Sequence, residues 1–289
     1  MLRRRFLTLL GLAACNRSAT RKEPMENAPA ATRMPVLFVG HGSPMNAIED
    51  NQWSRSFHAL GASLPRPKAI LSVSAHWFLP GTFVTGNDPP ETIHDFGGFP
   101  QALFDMQYPA AGDTALARRV VALLGSDRAS VREDWGLDHG TWSVLHHMRP
   151  AADIPVVQLS IDSRLPAARH LEIARALIPL RDEGVLVMGS GNATHNLRHA
   201  MRNYQTGDFT TPPWAASFDA DIARAAEQHD AEFFAKALER QDGRMSHPTV
   251  DHYLPLVYAV GASDAKDKVS FPITGFDAGS LSMRTVQFG

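Results

Sequence analysis

MPVLFVGHGSP, residues 34–44, is typical of a buried strand that leads into a tight loop. Its first six residues are apolar and partly β-branched, and glycine, serine and proline then halt the extended run. Three further apolar runs have the same form: residues 69–75, 154–161 and 185–188. Because continuous apolar strands are usually buried on both faces, these runs predict a mostly parallel or mixed central sheet.

Helical patterns alternate with these strands. Residues 115–124 can be capped by Asp113 or Thr114, residues 167–177 have apolar positions at helical spacing, and residues 214–238 predict one long helix or two short ones. Strands that alternate with helices favour an α/β three-layer sandwich, with helices on both faces of the sheet. We expect one catalytic domain, residues 34–289.

The composition is that of an ordinary globular protein. Of the 289 residues, 44% are apolar and 20% are charged, which excludes a disordered or fibrous chain and allows a sizeable core. The formal charge of -2 gives no basic surface, so no nucleic-acid partner is expected. Thirteen histidines are a high number, and their frequent position beside glycines or strand ends indicates a metal.

The first 15 residues predict an export signal of the twin-arginine or lipoprotein type. Arg3-Arg4-Arg5-Phe6-Leu7 fits the twin-arginine pattern, and a short apolar run ends in Leu-Ala-Ala-Cys15, like a lipoprotein cleavage box. Residues 16–33 predict a flexible linker, and a lipid on Cys15 would be the only membrane contact. We therefore expect a periplasmic or membrane-anchored protein, or a cytoplasmic one if the leader does not function.

Four histidines predict a metal centre. His41 and His76 follow apolar strands directly, His195 follows another through a glycine-rich loop, and His252 precedes a predicted helix. In sheets of this kind, ligands bind beyond the carboxyl ends of the strands. Neutral imidazoles bind Fe(II) and Zn(II), and a site with three or four of them can leave a position open for substrate.

The remaining histidines have other expectations. Asp251 or His247 could be the ligand in place of His252, since spacing alone does not decide between them. His139 is flanked by glycines and aromatics, a setting typical of a side chain that contacts a substrate. Surface positions are expected for the histidines in helix-like segments, which are His58, His170, His199 and His229.

Motifs of competing enzyme classes are absent from the sequence. It has no HExxH pattern of zinc peptidases, no GxxxxGK[ST] phosphate loop, no GxGxxG and no GxSxG nucleophile elbow. Aromatic residues near the histidines could instead line a substrate pocket, although aromatics in α/β proteins often belong to the core. These residues are Trp77, Phe78, Phe96, Phe99 and Trp142.

Several motifs, in one order, closely resemble the 4,5-DOPA extradiol dioxygenases, a family of class III extradiol ring-cleavage enzymes. The resemblance runs from about residue 34 to the carboxyl terminus. The motifs are Gly40-His41-Gly42-Ser43-Pro44, Ser74-Ala75-His76-Trp77, Ile93-His94-Asp95-Phe96-Gly97-Gly98-Phe99-Pro100, Gly136-Leu137-Asp138-His139-Gly140-Thr141-Trp142, Gly191-Asn192-Ala193-Thr194-His195-Asn196 and His252-Tyr253-Leu254-Pro255.

The resemblance implies a monomer or weak homo-oligomer with one divalent metal ion that opens a small catechol, such as DOPA, with dioxygen. It makes His41, His76 and His252 metal ligands and His195 either a fourth ligand or the acid/base residue. His139 matches a histidine expected to act on the substrate. We also expect substrate contacts from His94, Phe99 and Trp142.

The sequence departs from relatives that use two histidines and a glutamate, because the third position here is His252. A three-histidine site has no ligand charge, which could favour Zn(II) over the Fe(II) that oxygen chemistry needs. Two alternatives therefore stay open beside the dioxygenase. They are an inactive metal-binding protein of the same fold and a zinc-dependent hydrolase.

Overall fold

The apolar runs form the centre of a mixed β-sheet in the computed structural model, which describes residues 33–289. Eight of the ten strands in this part form one sheet in the order β4-β3-β5-β2-β6-β1-β10-β7, and β8 and β9 form a separate ribbon. The strands are β1 (Val36–Gly40), β2 (Ala69–Leu79), β3 (Thr82–Thr85), β4 (Ala129–Arg132), β5 (Val156–Asp162), β6 (Val185–Gly191), β7 (Val269–Ser270), β8 (Phe276–Asp277), β9 (Leu281–Ser282) and β10 (Val286–Phe288).

The four apolar runs are the parallel core of this sheet. β5, β2, β6 and β1 are neighbours and run parallel to one another. Antiparallel pairing occurs towards the edges, where β10 joins β1 and β3 joins β5. The carboxyl ends of the core strands therefore meet at one edge of the sheet, as the sequence predicts.

Helices cover both faces. Asp113 caps α3 by accepting from the Leu116 amide, and the 214–238 segment forms two helices separated by a turn. The helices are α1 (Gln52–Ser63), α2 (Gln101–Phe104), α3 (Thr114–Leu124), α4 (His139–Met148), α5 (Ala167–Arg175), α6 (Pro179–Asp182), α7 (Leu197–Thr206), α8 (Pro213–Glu227), α9 (Ala231–Lys236), α10 (Gln241–Ser246) and α11 (Leu254–Ala262).

Alternating side chains of β1 divide the core into two layers. Val36 and Phe38 pack on one face with α3, α5, α8, α9 and α11, whereas Leu37 and Val39 pack on the other with α1, α2 and α4. Successive residues of a strand point to opposite faces, so an all-apolar strand requires helices on both sides. The three-layer α/β sandwich is therefore confirmed.

Two local expectations are wrong. β2 does not end at residue 75 but continues to Leu79, so His76 lies inside the strand, in an irregular stretch of its pairing with β5. His170 is not on the surface: it is fully buried in α5, where Nδ1 lies 3.1 Å from the hydroxyl of Tyr258 on α11. An apolar neighbour helix on that face of α5 was not visible in the local pattern.

The predicted signal segment, residues 1–15, lies outside the described residues, as does the predicted linker except for Arg33. Arg33 pairs with Asp182 at 2.7 Å. Within residues 33–289 no helix is both long and apolar enough to cross a membrane.

A buried ion pair joins α6 to the last strands. The Arg181 side chain, only 1% exposed, donates to both carboxylate oxygens of Asp267 at 2.6 and 2.9 Å and also to the Met34 carbonyl. Burial raises the pKa of Asp267, but the hydrogen bonds from Arg181 outweigh it and hold the pKa below its ordinary value of 3.8. Arg181 thus links Met34, just before β1, to Asp267, just before the edge strand β7.

Asp267→Ala should lower the free energy of unfolding by about 3 kcal/mol, because it leaves a buried guanidinium without its counter-charge. Since the pKa of Asp267 is lowered on folding, its stabilisation is present above pH 3.8 and is lost as the pH falls through the folded pKa. Urea unfolding at several pH values measures both effects. Glu183→Ala, which breaks the exposed pair with Arg119, is the matched control, and an equal loss there would contradict the special role of Asp267.

Candidate metal centre

Five histidines converge where the parallel strands end. His41 follows β1 directly, and His195 follows β6 by four residues. His139 is the first residue of α4, and His252 lies two residues before α11. His76 completes the group from within β2. All five are candidate site residues by sequence, and the structure brings them together.

An irregularity in β2 turns His76 towards the other histidines. Val73 pairs with Leu159 and Phe78 pairs with Ile161, so residues 74–77 of β2 face a single residue of β5. Extra residues of this kind bend a strand and redirect its side chains, and they are frequent beside active sites. The bulge therefore gives His76 a direction that a regular strand would not.

The rings of His41, His76 and His252 form a nearly equilateral triangle. Their centroids are 5.1 Å (His41–His76), 5.2 Å (His41–His252) and 5.0 Å (His76–His252) apart, and Nε2 of His41 lies 3.4 Å from Nε2 of His76. Three imidazoles that hold one tetrahedral ion at about 2.1 Å have nitrogens about 3.4 Å apart and centroids about 5 Å apart. The centroid spacings of the triangle and the His41–His76 nitrogen distance are compatible with one metal ion.

Ser190 fixes the tautomer of His41. The Ser190 hydroxyl donates its proton to the Gly140 carbonyl, so its oxygen accepts from Nδ1–H of His41 at 2.9 Å. A neutral imidazole with a proton on Nδ1 has a lone pair on Nε2. Nε2 of His41 is therefore available as a ligand atom.

Carboxylates fix the other two rings in the same way. Oδ2 of Asp95 lies 3.2 Å from Nδ1 of His76, within ion-pair distance, and Asp251 accepts from Nδ1 of His252 at 2.5 Å. Nε2 of His41 and Nε2 of His76 lie 3.4 Å apart, a distance at which either a proton on one of them or a cation between them removes the repulsion of two lone pairs. Acceptors behind each ring are the usual support of metal-binding histidines.

His139 lies beside the triangle. Its nitrogen is within 4.8 Å of those of His41 and His76, but its ring centroid is 3.8 Å from His76 and 5.9 Å from His41. The nitrogens therefore group His139 with His41 and His76, whereas the ring centroids are more evenly spaced for His252, so both are candidates for the third ligand. Asp95 accepts from both Nδ1 and the backbone N–H of His139 at 2.9 Å, which again leaves Nε2 free.

His195 stacks on His252. The two rings are parallel within 1°, and their centroids are 3.5 Å apart. Ring-nitrogen lone pairs lie in the plane of their ring, so two parallel stacked rings direct their lone pairs along separate planes and not at one shared point. The geometry favours His195 as a proton acceptor beside the metal over His195 as a fourth ligand.

Burial favours the neutral form of His41, His195 and His252. Desolvation, followed by the neighbouring histidines, lowers the pKa of His41 and of His252 well below the usual value, and desolvation together with His247 lowers that of His195 to about 3. His76 differs, because Asp95 and Asp138 outweigh the effect of burial and raise its pKa. Neutral imidazole is the form that binds a metal or accepts a proton.

The alternatives to His252 lie around the centre. Asp251 faces the Nδ1 side of His252, away from Nε2. Nε2–H of His247 donates to the Ala193 carbonyl at 3.0 Å, and its ring packs against Tyr253 at 5.2 Å. Both residues therefore support the segment that carries His252.

An aromatic wall borders the centre on the side of His139. Phe96 meets the His139 ring edge-on at 5.4 Å and contacts Phe99 at 5.4 Å and Phe104 at 5.1 Å. Phe96, Phe99 and Phe104 are half-buried, so ring surface remains free for a flat, apolar ligand. The predicted contact from Phe99 is compatible with this position, and Phe104 was not expected.

His94 and Trp142 are predicted to contact the substrate, but their N–H groups form hydrogen bonds within the protein. Nε2–H of His94 donates to the Met106 carbonyl, and the indole N–H of Trp142 donates to the Ile93 carbonyl, so neither N–H is available to a substrate. Trp142 also has no exposed surface and packs 5.6 Å from His94. We therefore place Trp142 as support for the wall, with half-buried His94 beside it.

Asp95 is the functional residue that the sequence analysis did not single out. It follows His94 within the Ile93–Pro100 motif and is the partner of two of the five histidines. The motif itself was a signal, since it places a carboxylate directly between a histidine and an aromatic residue. The contact with His76 and His139 depends on loop geometry that local patterns do not define.

The chain resembles known proteins over almost all of the described residues. Residues 35–279 match the family model described as the catalytic LigB subunit of aromatic ring-opening dioxygenase. The chain is 51% identical over 267 residues to a 4,5-DOPA dioxygenase extradiol of Escherichia coli strain K12, covering 90% of this chain and 96% of that one. It is 38% identical to the protein of the same name from Beta vulgaris, covering 88% and 96%.

A solved structure supports the fold. The crystal structure of an uncharacterized protein from Escherichia coli K12 superposes with a TM-score of 0.76 at 46% identity, and the match covers 89% of this chain and all of that one. The family resemblance read from the motifs is thus confirmed by independent comparison.

Replacing single histidines by alanine should separate ligands from their neighbours. His76→Ala and His252→Ala each remove one corner of the triangle and should abolish stoichiometric Zn(II) binding, whereas His139→Ala should keep it. Titration of the metal-free chain with Zn(II) measures this. His58→Ala, on the exposed side of α1, is the control. Retained binding in His252→Ala together with lost binding in His139→Ala would identify His139 as the third ligand.

Proposed function

Because the chain belongs to the family of catalytic LigB subunits of aromatic ring-opening dioxygenases, we propose that it opens a catechol-type ring, such as that of DOPA, by extradiol cleavage. Both atoms of O2 would enter the product, a ring-opened semialdehyde. The observation that carries this proposal is the triangle of Nε2 lone pairs next to a half-buried aromatic wall. Such a site combines nitrogens that could bind a metal with a flat apolar surface beside them.

The proposed ligands of a single mononuclear non-haem ion are His41, His76 and His252. When bound, Fe(II) would supply the one-electron redox chemistry that allows a catechol to react with dioxygen. The same donors also suit Zn(II), a possible occupant. The contacts at Nδ1 of all three rings, and the lowered pKa of His41 and of His252 through burial, support this assignment.

His195 and His139 are the proposed catalytic residues. Burial lowers the pKa of both residues, which favours their neutral, proton-accepting form at pH 7. A ring nitrogen of His195 could take the proton that a catechol hydroxyl loses on binding. Nε2 of His139, whose Nδ1 is held by Asp95, could accept a hydrogen bond from the second hydroxyl or return a proton to the opening ring.

The aromatic wall supports a small aromatic substrate. Phe96 and Phe99 could stack on the substrate ring, and the wall would exclude water from the reacting atoms. Two relatives bear the name 4,5-DOPA dioxygenase extradiol, which supports DOPA as the first catechol to test.

Anaerobic loading of the metal-free chain with Fe(II) or Zn(II), followed by addition of O2 and DOPA or other catechols, tests the proposal. We expect oxygen uptake and a yellow ring-opened product in the iron form alone. His195→Ala should lower kcat by about 10²–10⁴-fold if it transfers protons, with metal content unchanged. Tight metal binding without uptake on any catechol would favour the inactive metal-binding protein, and ester or amide hydrolysis by the zinc form would favour a hydrolase.

We also propose export by the twin-arginine route and a lipid on Cys15, on the basis of the leader sequence alone. In a bacterial host with this route, Cys15→Ser should release the protein from the membrane fraction and stop incorporation of labelled palmitate. Changing Arg3 and Arg4 to lysine should keep the protein in the cytoplasm. Recovery of the unchanged chain and of both variants in the cytoplasmic fraction would contradict the proposal.

A further inference from the structure

One carboxylate joins two histidines of different proposed roles. Oδ2 of Asp95 lies 3.2 Å from Nδ1 of His76, and Oδ1 lies 2.9 Å from Nδ1 of His139. Oδ1 also accepts from the backbone N–H of His139 at 2.9 Å. The Asp95 side chain is 17% exposed and comes from the segment that also carries Phe96. Each oxygen therefore has a defined partner.

We propose that Asp95 is a positioning residue that sets the tautomer of His76 through one oxygen and the orientation of His139 through the other. The inference rests on the proposed function, in which His76 is a metal ligand. A carboxylate can accept hydrogen bonds at both oxygens, so both rings hold a proton on Nδ1 and present a lone pair at Nε2. The metal and the substrate side of the site are thereby fixed by the same group.

An amide in place of this carboxylate would satisfy only one side. Asparagine has one oxygen acceptor and one NH2 donor. Two N–H groups of His139 point at Oδ1, so the amide oxygen should stay there and the NH2 should face His76. Nδ1 of His76 would then have to accept, which moves its proton to Nε2 and blocks the ligand atom.

Asp95→Asn is therefore the decisive variant, because it keeps the size and shape of the side chain. We expect its affinity for Zn(II) to fall by about 10–100-fold or more, the range found when partners of metal-binding histidines are removed. Asp95→Ala should lose affinity too, but His139 should also lose its orientation. A residue that only fills space would tolerate Asp95→Asn, and an affinity within about threefold of the unchanged chain would overturn the proposal.

Asp251→Asn is the matched control. Asp251 has one histidine partner among the described residues, Nδ1 of His252. An amide there can turn its oxygen towards this single donor, so the His252 tautomer can be kept. We expect a smaller loss of Zn(II) affinity than for Asp95→Asn, and an equal or larger loss would contradict the role of the second partner.

Nitrogen-15 NMR of the metal-free full chain gives a second readout that needs no turnover. In the unchanged chain, His76 and His139 should both be protonated at Nδ1. In Asp95→Asn, His76 should change to the Nε2–H form while His139 keeps its proton at Nδ1. A neutral His76 ring with its proton on Nε2 and none on Nδ1 in the unchanged chain would overturn the inference even if the variants fail to fold.

The outcomes separate this inference from the proposed function. If His76→Ala still binds Zn(II), the proposed ligand set is wrong. If His76→Ala loses Zn(II) but Asp95→Asn binds it normally, the ligand set stands and only the role of Asp95 is wrong.

Discussion

The site depends on holding several buried imidazole rings close together in fixed orientations. His41, His76 and His252 each have an oxygen atom of another side chain beside Nδ1. These side chains belong to separate parts of the chain: Ser190 to β6, Asp95 to the segment before α2 and Asp251 to the segment before α11. The metal centre is thus a product of the complete tertiary fold.

The three proposed ligand histidines carry no charge of their own, but carboxylates beside two of them bring negative charge close to the proposed site. His76 and His252 each have a carboxylate beside Nδ1, which raises the basicity of the imidazole and places negative charge on the far side of the ring from Nε2. The concern that three histidines lack the charge of a glutamate ligand therefore loses much of its force. The electrostatic contribution is moved from the ligand atoms to the groups behind them.

The sequence predicts those features that depend on local periodicity or on the direction of the chain. Continuous apolar runs identify the parallel core, and parallel strands bring His41 and His195 to one edge. The bulge in β2, the shared carboxylate of Asp95 and the burial of His170 depend on contacts between distant segments, so periodicity cannot reveal them. The family motifs did contain Asp95, but a motif does not say which atoms its residues touch.

The bulge divides β2 into a regularly paired part, which ends at Val73, and an irregular part, residues 74–77. Up to Val73 the strand keeps regular register with both neighbours, and residues 74–77 leave the β5 register to aim His76. A substitution within residues 74–77 can therefore shift the imidazole of His76 while the residues up to Val73 stay paired with both neighbouring strands. The position of one candidate site residue is in this way separated from the pairing that holds the sheet together.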